Sequence, residues 1–211
     1  MSSKRMIGYD PLVRVSDDFG DNSLDPMWTP SNSGGSGTIS ETNERLEITW
    51  QSDIAATERW AYVSSSLLSS VLGTEITGYM QLPSEGTANH RTIDMFLIGD
   101  WSNYVQFQLQ DNTGTYTRTL NKAVAGSGST IKTETLAYNL TSYSPLVRIW
   151  IDATNIRVDL DGVQWQAATA HGLTFPQNQF YVFLLNRVSR TTAKTVIFDG
   201  FSIKYNPLIV S

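Results

Sequence analysis

The chain has no cysteine, and it has only two histidines, His90 and His171. The first absence excludes disulfides and thiolate metal sites, and it removes the residue from which a redox compartment is usually inferred. Both histidines are predicted to lie in loops, far apart in sequence. A metal site or a Ser-His-Asp triad built on them would need distant partners, and no nucleophile-elbow motif or phosphate-binding glycine loop is present.

Charge is scarce as well. Charged residues make up 17% of the chain, the net charge is −5 and the sequence pI is about 4.9. Without a basic surface, a nucleic-acid partner is not expected. Lys and Arg are scattered rather than clustered, so no segment is predicted to bind an anionic membrane.

Long apolar runs are also missing from the sequence. No stretch is long enough for a transmembrane helix, and the first residues, MSSKRMIGYDPLVRV, lack the apolar core of a signal peptide. We therefore expect synthesis in a cytoplasm, with no secretion signal and no membrane anchor.

The apolar residues occur in short segments in which apolar and polar residues alternate. Hydrophobic residues are 40% of the 211 residues, enough for one large all-β domain. Turn-forming stretches such as SGGSG, SEGT, DNTG and GSGS separate these segments. Only SSSLLSSVLG, at 64–73, favours a helix. Alternation predicts strands near 12–16, 45–50, 75–82, 92–98, 104–110, 115–121, 130–136, 145–152, 155–160, 163–168, 179–185 and 195–205.

The clearest unit is the segment LVRIWIDATNIRVDLDGVQWQ, where two strands each turn apolar residues to one face. The Asp161-Gly162 pair after them favours a tight hairpin turn. A dozen such strands predict a two-sheet antiparallel β-sandwich over residues 12–205. Residues 1–11 are interpreted as an N-terminal arm and 206–211 as a C-terminal tail. Either could dock on a partner or be a frayed terminus.

The segment SDDFGDNSLDPMW carries four aspartates at 17, 18, 21 and 25. Calcium binds clustered oxygen ligands, but this spacing is not that of an EF-hand loop. The alternative is a turn-rich segment that Phe19 and Trp28 anchor to the core, with a local turn at Asp25-Pro26. No other cofactor is predicted.

The strand RTIDMFLIGD raises the question of function most directly. Ile93, Met95 and Leu97 are predicted to face the core, and the alternate residues Thr92, Asp94 and Phe96 the opposite side. An aspartate in the middle of an open strand face is either a catalytic group or the remnant of a site that has lost its chemistry.

Other residues predict a surface for hydroxyl-rich ligands. Tyr104, Gln106 and Gln108 alternate on one strand, and amides hydrogen-bond in both directions at low desolvation cost. Of the six tryptophans, at least half are expected in the core. Trp101 lies in a predicted turn, and Trp150 shares an outward face with Arg148. Exposed strand faces without a ligand would have the same pattern, and Trp150 could instead be covered.

The order of segments over about 15–205 resembles the family-16 glycoside hydrolases of the lichenase and laminarinase type, which have a concanavalin A-like fold. The resembling segments are DDFGDNSLDPMW, GTEITGYMQLPSEGT, TIDMFLIGD, YVQFQLQDNTG, SPLVRIWIDATNIRVDLDGV and TVIFDGFSIKY. TIDMFLIGD lies where the family has its catalytic strand. The resemblance implies a nucleophile glutamate at Thr92, a supporting aspartate at Asp94 and an acid/base glutamate at Phe96, or at Leu97 in the longer spacing. Both glutamates are absent, and a retaining mechanism needs two carboxylates.

Three hypotheses follow from these residues. The first is a non-catalytic, lectin-like domain that binds a polysaccharide or cell-surface glycan. The second is a structural or decoration protein of a bacteriophage particle, contacting virion proteins through its terminal arms and ending on the virion surface. The third is a polysaccharide-cleaving enzyme that uses Tyr104, His90 or His171. The residues predicted to bind sugar are Asp94, Trp101, Tyr104, Gln106, Gln108, Arg148 and Trp150, with Glu58 and Arg59 as weaker candidates.

Overall fold

The computed structural model describes residues 13–66, 68–69, 73–83, 90–174 and 179–205. The predicted arm at 1–11, the tail at 206–211 and the SEGT turn at 84–87 lie outside the described residues. The described part is built from strands and one short 3-10 helix, Leu140–Ser142. No described helix is long and apolar enough to cross a membrane.

Sixteen strands run through the described residues. In chain order they are β1 (Val13–Asp17), β2 (Trp28–Asn32), β3 (Ser36–Thr42), β4 (Arg45–Gln51), β5 (Arg59–Ser65), β6 (Leu68–Ser69), β7 (Thr74–Gln81), β8 (His90–Asp100), β9 (Asn103–Asn112), β10 (Thr115–Val124), β11 (Ser127–Leu136), β12 (Leu146–Ile151), β13 (Asn155–Leu160), β14 (Val163–Ala170), β15 (Gln179–Val188) and β16 (Lys194–Tyr205).

The strands form two antiparallel sheets. The front sheet has the order β11-β10-β9-β8-β15-β5-β2, with β6 paired to β15. The back sheet has the order β14-β13-β12-β7-β16-β4-β3, with β1 paired to β16. All twelve strands predicted from alternation are present. The all-β, two-sheet sandwich predicted from the sequence is therefore confirmed.

The core lies between the two sheets because each strand turns alternate residues inward. On β8, the side chains of Ile93, Met95 and Leu97 are fully buried in this core. From β12 and β13 in the back sheet, Val147, Ile149, Ile151, Ile156, Val158 and Leu160 meet the same cluster. Asp161 and Gly162 both have positive φ, 52° and 79°, as the predicted hairpin turn requires.

Some predictions from the local sequence pattern differ from the structure. The serine-rich segment predicted as a helix contributes Ser64 and Ser65 to β5, and Leu68 pairs with Phe180 of β15. Leu68 is buried in the core, so a sheet partner outweighs the weak local preference. His90, predicted in a loop, begins β8 and pairs with Asn112. Strands β2, β3 and β5 were not predicted.

The acidic segment SDDFGDNSLDPMW forms a series of local turns. Each of its four aspartates, at 17, 18, 21 and 25, accepts a hydrogen bond from the backbone N–H two residues later. Trp28 donates its indole N–H to the Asp17 carboxylate at 2.8 Å, and Phe19 is fully buried. Within the described residues, no group of three or more acidic or histidine side chains is arranged to hold a metal ion.

Candidate functional site

The outer face of the front sheet carries a polar cluster centred on Asp94. One carboxylate oxygen, Oδ1, accepts hydrogen bonds from the side-chain amides of Gln106 (2.7 Å) and Gln108 (2.8 Å) on β9. The other, Oδ2, accepts from the Thr92 hydroxyl at 2.8 Å and lies 3.5 Å from the guanidinium of Arg187 on β15. Four side chains from three adjacent strands therefore converge on one carboxylate.

Asp94 is completely buried beneath these partners. Burial raises the pKa of its carboxyl group above the usual value, while Arg187, Thr92 and the two glutamines act in the opposite direction. Because both carboxylate oxygens already have side-chain partners, Asp94 holds its neighbours in place. It does not reach the surface where a ligand would bind, contrary to the prediction that it contacts sugar.

Arg187 connects this buried cluster to the surface. Its guanidinium lies 3.5 Å from Asp94 and 3.6 Å from the Glu58 carboxylate, which precedes β5. Burial lowers the pKa of Arg187, but the charges of Asp94 and Glu58 outweigh that effect and raise it. One guanidinium is thus shared by two carboxylates, one buried and one exposed.

The cluster extends across the sheet through Gln106. The amide of Asn121 on β10 donates to the Gln106 carbonyl at 3.2 Å, and Thr130 on β11 donates to Asn121 at 2.9 Å. Gln106 is only 4% exposed, whereas Gln108 is partly exposed. Of the two predicted glutamines, Gln108 is therefore the one with surface available to a ligand.

Beside the polar cluster, the same face carries an apolar one. Phe96, Ile98, Phe183 and Leu185 pack together on β8 and β15, separate from the main core. Trp101, in the turn after β8, contacts Phe183 with ring centroids 5.4 Å apart. The remaining aromatic neighbours at this cluster are Tyr62, Tyr104 and Tyr181.

A pocket of about 360 Å³ opens where the polar and apolar clusters meet. We call it the front pocket; it is lined by Glu58, Trp60, Phe96, Trp101, Tyr104, Leu185 and Arg187. Its lining combines aromatic and aliphatic side chains with the charged groups of Glu58 and Arg187. Trp101 is 59% exposed, as predicted for a turn tryptophan. A mostly apolar concavity with a few fixed polar groups is the usual form of a ligand site.

The six tryptophans divide into two groups of three. Trp28, Trp50 and Trp165 are buried, and each donates its indole N–H to a carboxylate or carbonyl oxygen. Trp60, Trp101 and Trp150 are at least partly exposed, and their indole N–H groups have no hydrogen-bond acceptor among the described residues. The first group anchors the fold, while the second retains a donor and a ring surface for a ligand.

The other predicted site residues have mixed outcomes. Glu58, Trp101 and Tyr104 line the front pocket. Arg59 does not: its side chain pairs with Asp53 at 2.7 Å. Arg148 and Trp150 lie on β12 of the back sheet, on the opposite side of the molecule. Of the two alternatives for these residues, that they share one groove with Asp94 or that they lie on the other sheet outside it, the structure has the second. Alternation indicates which way a residue faces but not which sheet carries it.

Sequence reasoning missed Arg187, Trp60 and Leu185. Arg187 is the single charged residue in QFYVFLLNRV, and it alternates with Tyr181, Phe183 and Leu185 on the outward side of β15. A lone charge on an otherwise apolar outward face was the available signal. In the strand register Arg187 lies opposite Thr92 on β8, next to Asp94, and this pairing could not be predicted from sequence spacing.

His171 does not join this site. His171 is buried after β14, and its ring lies 3.0 Å from the Asp152 carbonyl and accepts from the Leu173 N–H at 2.9 Å. His90 begins β8, six positions before Phe96, which corresponds to about 20 Å along an extended strand. Tyr104, one of the three residues that the enzyme hypothesis requires, is among the described lining residues of the front pocket.

No protein-family model matches the chain, and a comparison with curated proteins finds no relative. Solved structures do match over almost the whole chain. The catalytic domain of an endo-1,3-beta-glucanase (laminarinase) from Thermotoga petrophila RKU-1 has 14% identity and a TM-score of 0.68, covering 93% of this chain and 98% of that one. A beta-1,3-1,4-glucanase (lichenase) derived from a mouse hindgut metagenome has 12% identity and a TM-score of 0.64, covering 92% and 99%.

The chain has the fold of the family-16 glycoside hydrolases. A third match is an endo-β-galactosidase from Clostridium perfringens, with 11% identity and a TM-score of 0.67, covering 97% of this chain and 65% of that one. The concanavalin A-like sandwich expected from the order of segments is thereby confirmed. In this glucanase-like fold, Thr92, Asp94 and Phe96 lie on the outer face of β8, and only Asp94 is acidic.

Proposed function

We propose that this chain is a non-catalytic carbohydrate-binding domain whose ligand occupies the front pocket. The observation that carries the proposal is the pairing of Trp60, Trp101 and Tyr104 with Glu58 and Arg187 around one open concavity. Sugars have apolar C–H faces and hydroxyl edges, so a lining that combines aromatic and charged side chains fits both parts of the ring. The free indole N–H groups add donors for hydroxyl oxygens.

The charges of the front pocket favour a neutral saccharide. Glu58 and Asp94 provide two carboxylates and Arg187 one guanidinium. Whether or not Asp94 keeps a proton, the pocket has no excess positive charge to hold a uronate or a sulfate ester. The Glu58 carboxylate is exposed and accepts hydrogen bonds, which suits the hydroxyl groups of an uncharged hexose.

The buried state of Asp94 supports a binding role rather than hydrolysis. A retaining mechanism requires a nucleophile and an acid/base that both reach the scissile bond. Asp94 is fully buried under four side chains, and the flanking outward positions are a threonine and a phenylalanine. Glu58 is the one carboxylate among the described lining residues of the front pocket, and it pairs with Arg187.

The test is titration of the full chain with neutral β-glucan oligosaccharides of 1,3-, 1,4- and mixed linkage, followed by calorimetry and tryptophan fluorescence. We expect saturable binding, and Trp101→Ala should weaken it by about tenfold, since it removes an exposed stacking ring. The matched control is Tyr138→Ala, which deletes an exposed aromatic ring outside the pocket lining and should leave affinity unchanged.

Two results would count against the proposal. Folded protein that shows no saturation with any neutral oligosaccharide at millimolar concentration would remove the binding role. Release of new reducing ends from the same oligosaccharides, abolished by Glu58→Gln, would show that the pocket is catalytic.

A further inference from the structure

A second pocket lies on the outer face of the back sheet, on the opposite side of the sandwich. It has a volume of about 270 Å³, and we call it the back pocket; its lining residues are Glu75, Arg148, Trp150, Arg157, Asp159 and Ala168. Strand register places Trp150 between Glu75 on β7 and Arg157 on β13. Lys204 on β16 follows Glu75 in the same row.

The cations at and beside the back pocket are more exposed than its carboxylates. The side chains of Arg148, Arg157 and Lys204 are 45%, 44% and 43% exposed. The carboxylates beneath them, Glu75 and Asp159, are 22% and 8% exposed. The lining residues carry two positive and two negative charges, and Lys204, beside Glu75 and outside the lining, adds a third positive charge. The exposed donors therefore belong to the cations, although the whole chain is acidic.

Trp150 is the ring at the centre of these charges. It is partly exposed, its indole N–H has no acceptor among the described residues, and no described aromatic ring packs on it. The contrast is Trp165, whose ring lies under Arg118 and Lys132 and whose N–H is bonded to Glu134. The fold therefore closes off Trp165 with its own cations, whereas Trp150 retains an open surface between two arginines.

We propose that the back pocket is a second binding site, selective for an acidic saccharide that carries a carboxylate or a sulfate ester. The sugar ring stacks on Trp150, and its acid group pairs with the guanidinium of Arg148, which lies 3.9 Å from Glu75, at the limit of an ion pair. Arg157 lies on the other side of the acid group and contributes mainly its charge, because its Nε and Nη2 groups already donate to Asp159 at 2.8 and 2.7 Å. Guanidinium groups form two parallel hydrogen bonds with planar carboxylates and also with two oxygens of tetrahedral oxyanions such as phosphate, whose geometry a sulfate ester shares. The site goes beyond the function proposed for the front pocket, because it uses a different sheet, different residues and a differently charged ligand.

The experiment uses the full chain and two acidic probes, a galacturonate pentasaccharide and a heparin-derived sulfated hexasaccharide. A galactose pentasaccharide is the neutral counterpart of the first probe. We expect saturable binding of at least one acidic probe and no binding of the neutral counterpart at this site. Trp150→Ala should weaken acidic-probe binding by about fivefold to tenfold, as expected for loss of one stacking ring.

Arg148→Gln separates charge recognition from stacking, and it should weaken acidic-probe binding by about tenfold through loss of a charge-assisted hydrogen bond. Trp101→Ala, in the front pocket, is the matched control and should leave the acidic probes unaffected. Circular dichroism verifies that each variant is folded.

Three results would overturn the inference. The first is folded wild-type chain that binds neither acidic probe at millimolar concentration. The second is acidic-probe binding that Trp150→Ala and Arg148→Gln leave unchanged. The third is inorganic sulfate binding as tightly as the sulfated hexasaccharide, which would mean that the ring contributes nothing. None of these results bears on neutral oligosaccharides at Trp101, so the two sites succeed or fail separately.

Discussion

The front and back pockets share an exposed tryptophan beside arginine and carboxylate, but they differ in the ratio of cations to carboxylates. In the front pocket one guanidinium, that of Arg187, lies between two carboxylates, and Asp94 is buried with four partners. In the back pocket two carboxylates lie beneath two exposed arginines, and a third cation, Lys204, lies just outside the lining. The difference shows that tryptophan, arginine and aspartate side chains close together do not by themselves indicate a binding site. The burial of the charged groups determines whether they stabilise the sheet or remain available to a ligand.

The largest expected effect concerns the aspartates of the two faces. Asp94→Ala leaves Arg187, Thr92 and two glutamine amides without their acceptor in a buried setting, so we expect a loss of about 3–5 kcal/mol in the free energy of unfolding. The matched change on the back sheet is Asp159→Ala, whose partner Arg157 is 44% exposed and can turn to water. There we expect a loss of about 1 kcal/mol.

Urea denaturation of both variants measures this contrast. Equal losses for Asp94→Ala and Asp159→Ala would contradict the expectation that removing a carboxylate costs more when its partners are buried.

A second effect comes from Glu41, a carboxylate with no described cation partner. It is 7% exposed, one oxygen accepts from the Ser23 N–H, and the other has no hydrogen-bond partner in the described structure. Burial, followed by the negative charges of Asp17 and Asp21, raises its pKa from 4.5 to about 7. Asp94, by contrast, has Arg187 beside it.

The raised pKa of Glu41 fixes the sign of the pH dependence. As pH rises from 4.5 to about 7, the unfolded chain releases this proton while the folded chain retains it, so stability falls across that window. Glu41→Gln removes the ionisation. At about pH 8 the variant should be more stable than wild type by on the order of 2 kcal/mol, and the two should converge near about pH 4. Thermal unfolding at several pH values measures this, and a constant difference at every pH would exclude the titration of Glu41 as its cause.

Salt should distinguish the two pockets as ligand sites. Raising sodium chloride from about 20 mM to about 500 mM shortens the screening length and should weaken acidic saccharides at Arg148 and Arg157 by several fold. A neutral saccharide in the front pocket makes no net ionic contact, so its affinity should change by less than about twofold. Calorimetry at both salt concentrations checks this, and the same salt dependence for both ligands would erase the proposed distinction.

The smallest effect is expected at Arg148. Its guanidinium is 45% exposed and lies 3.9 Å from Glu75, at the limit of an ion pair. Arg148→Gln should therefore change the free energy of unfolding by less than about 0.5 kcal/mol. Chemical denaturation verifies it, and a loss as large as that of Asp94→Ala would mean that Arg148 supports the sheet rather than a ligand.

Much of the fold could be predicted from the sequence because strand alternation is a local signal. Ile93, Met95 and Leu97 face the core as expected, and Thr92, Asp94 and Phe96 face outward. The Asp161-Gly162 turn was equally local. The unpredicted strands β2, β3 and β5 are rich in Ser and Thr, and pairing with neighbouring strands sets their conformation.

The candidate site was predictable only in part, for a similar reason. Trp101, Tyr104 and Glu58 are in the front pocket as expected. Arg187 was missed because it is distant from Asp94 in the chain, and Trp60 because it lies on β5, a strand that was not predicted. Arg59 was predicted as a site residue, yet it pairs with Asp53, because Arg59 and Trp60 are successive residues of β5 and Trp60 is the one that faces the pocket.

The sequence by itself determined the one-sided strands, the tight hairpin turn and the absence of glutamates at positions 92 and 96, since these depend on residues close together in the chain. Only the tertiary structure decided that Arg148 and Trp150 belong to the back sheet and that Asp94 is sealed beneath Arg187. The physical reason is that the side chain's direction follows from the period of a strand, whereas its neighbours follow from which distant strands pair with it.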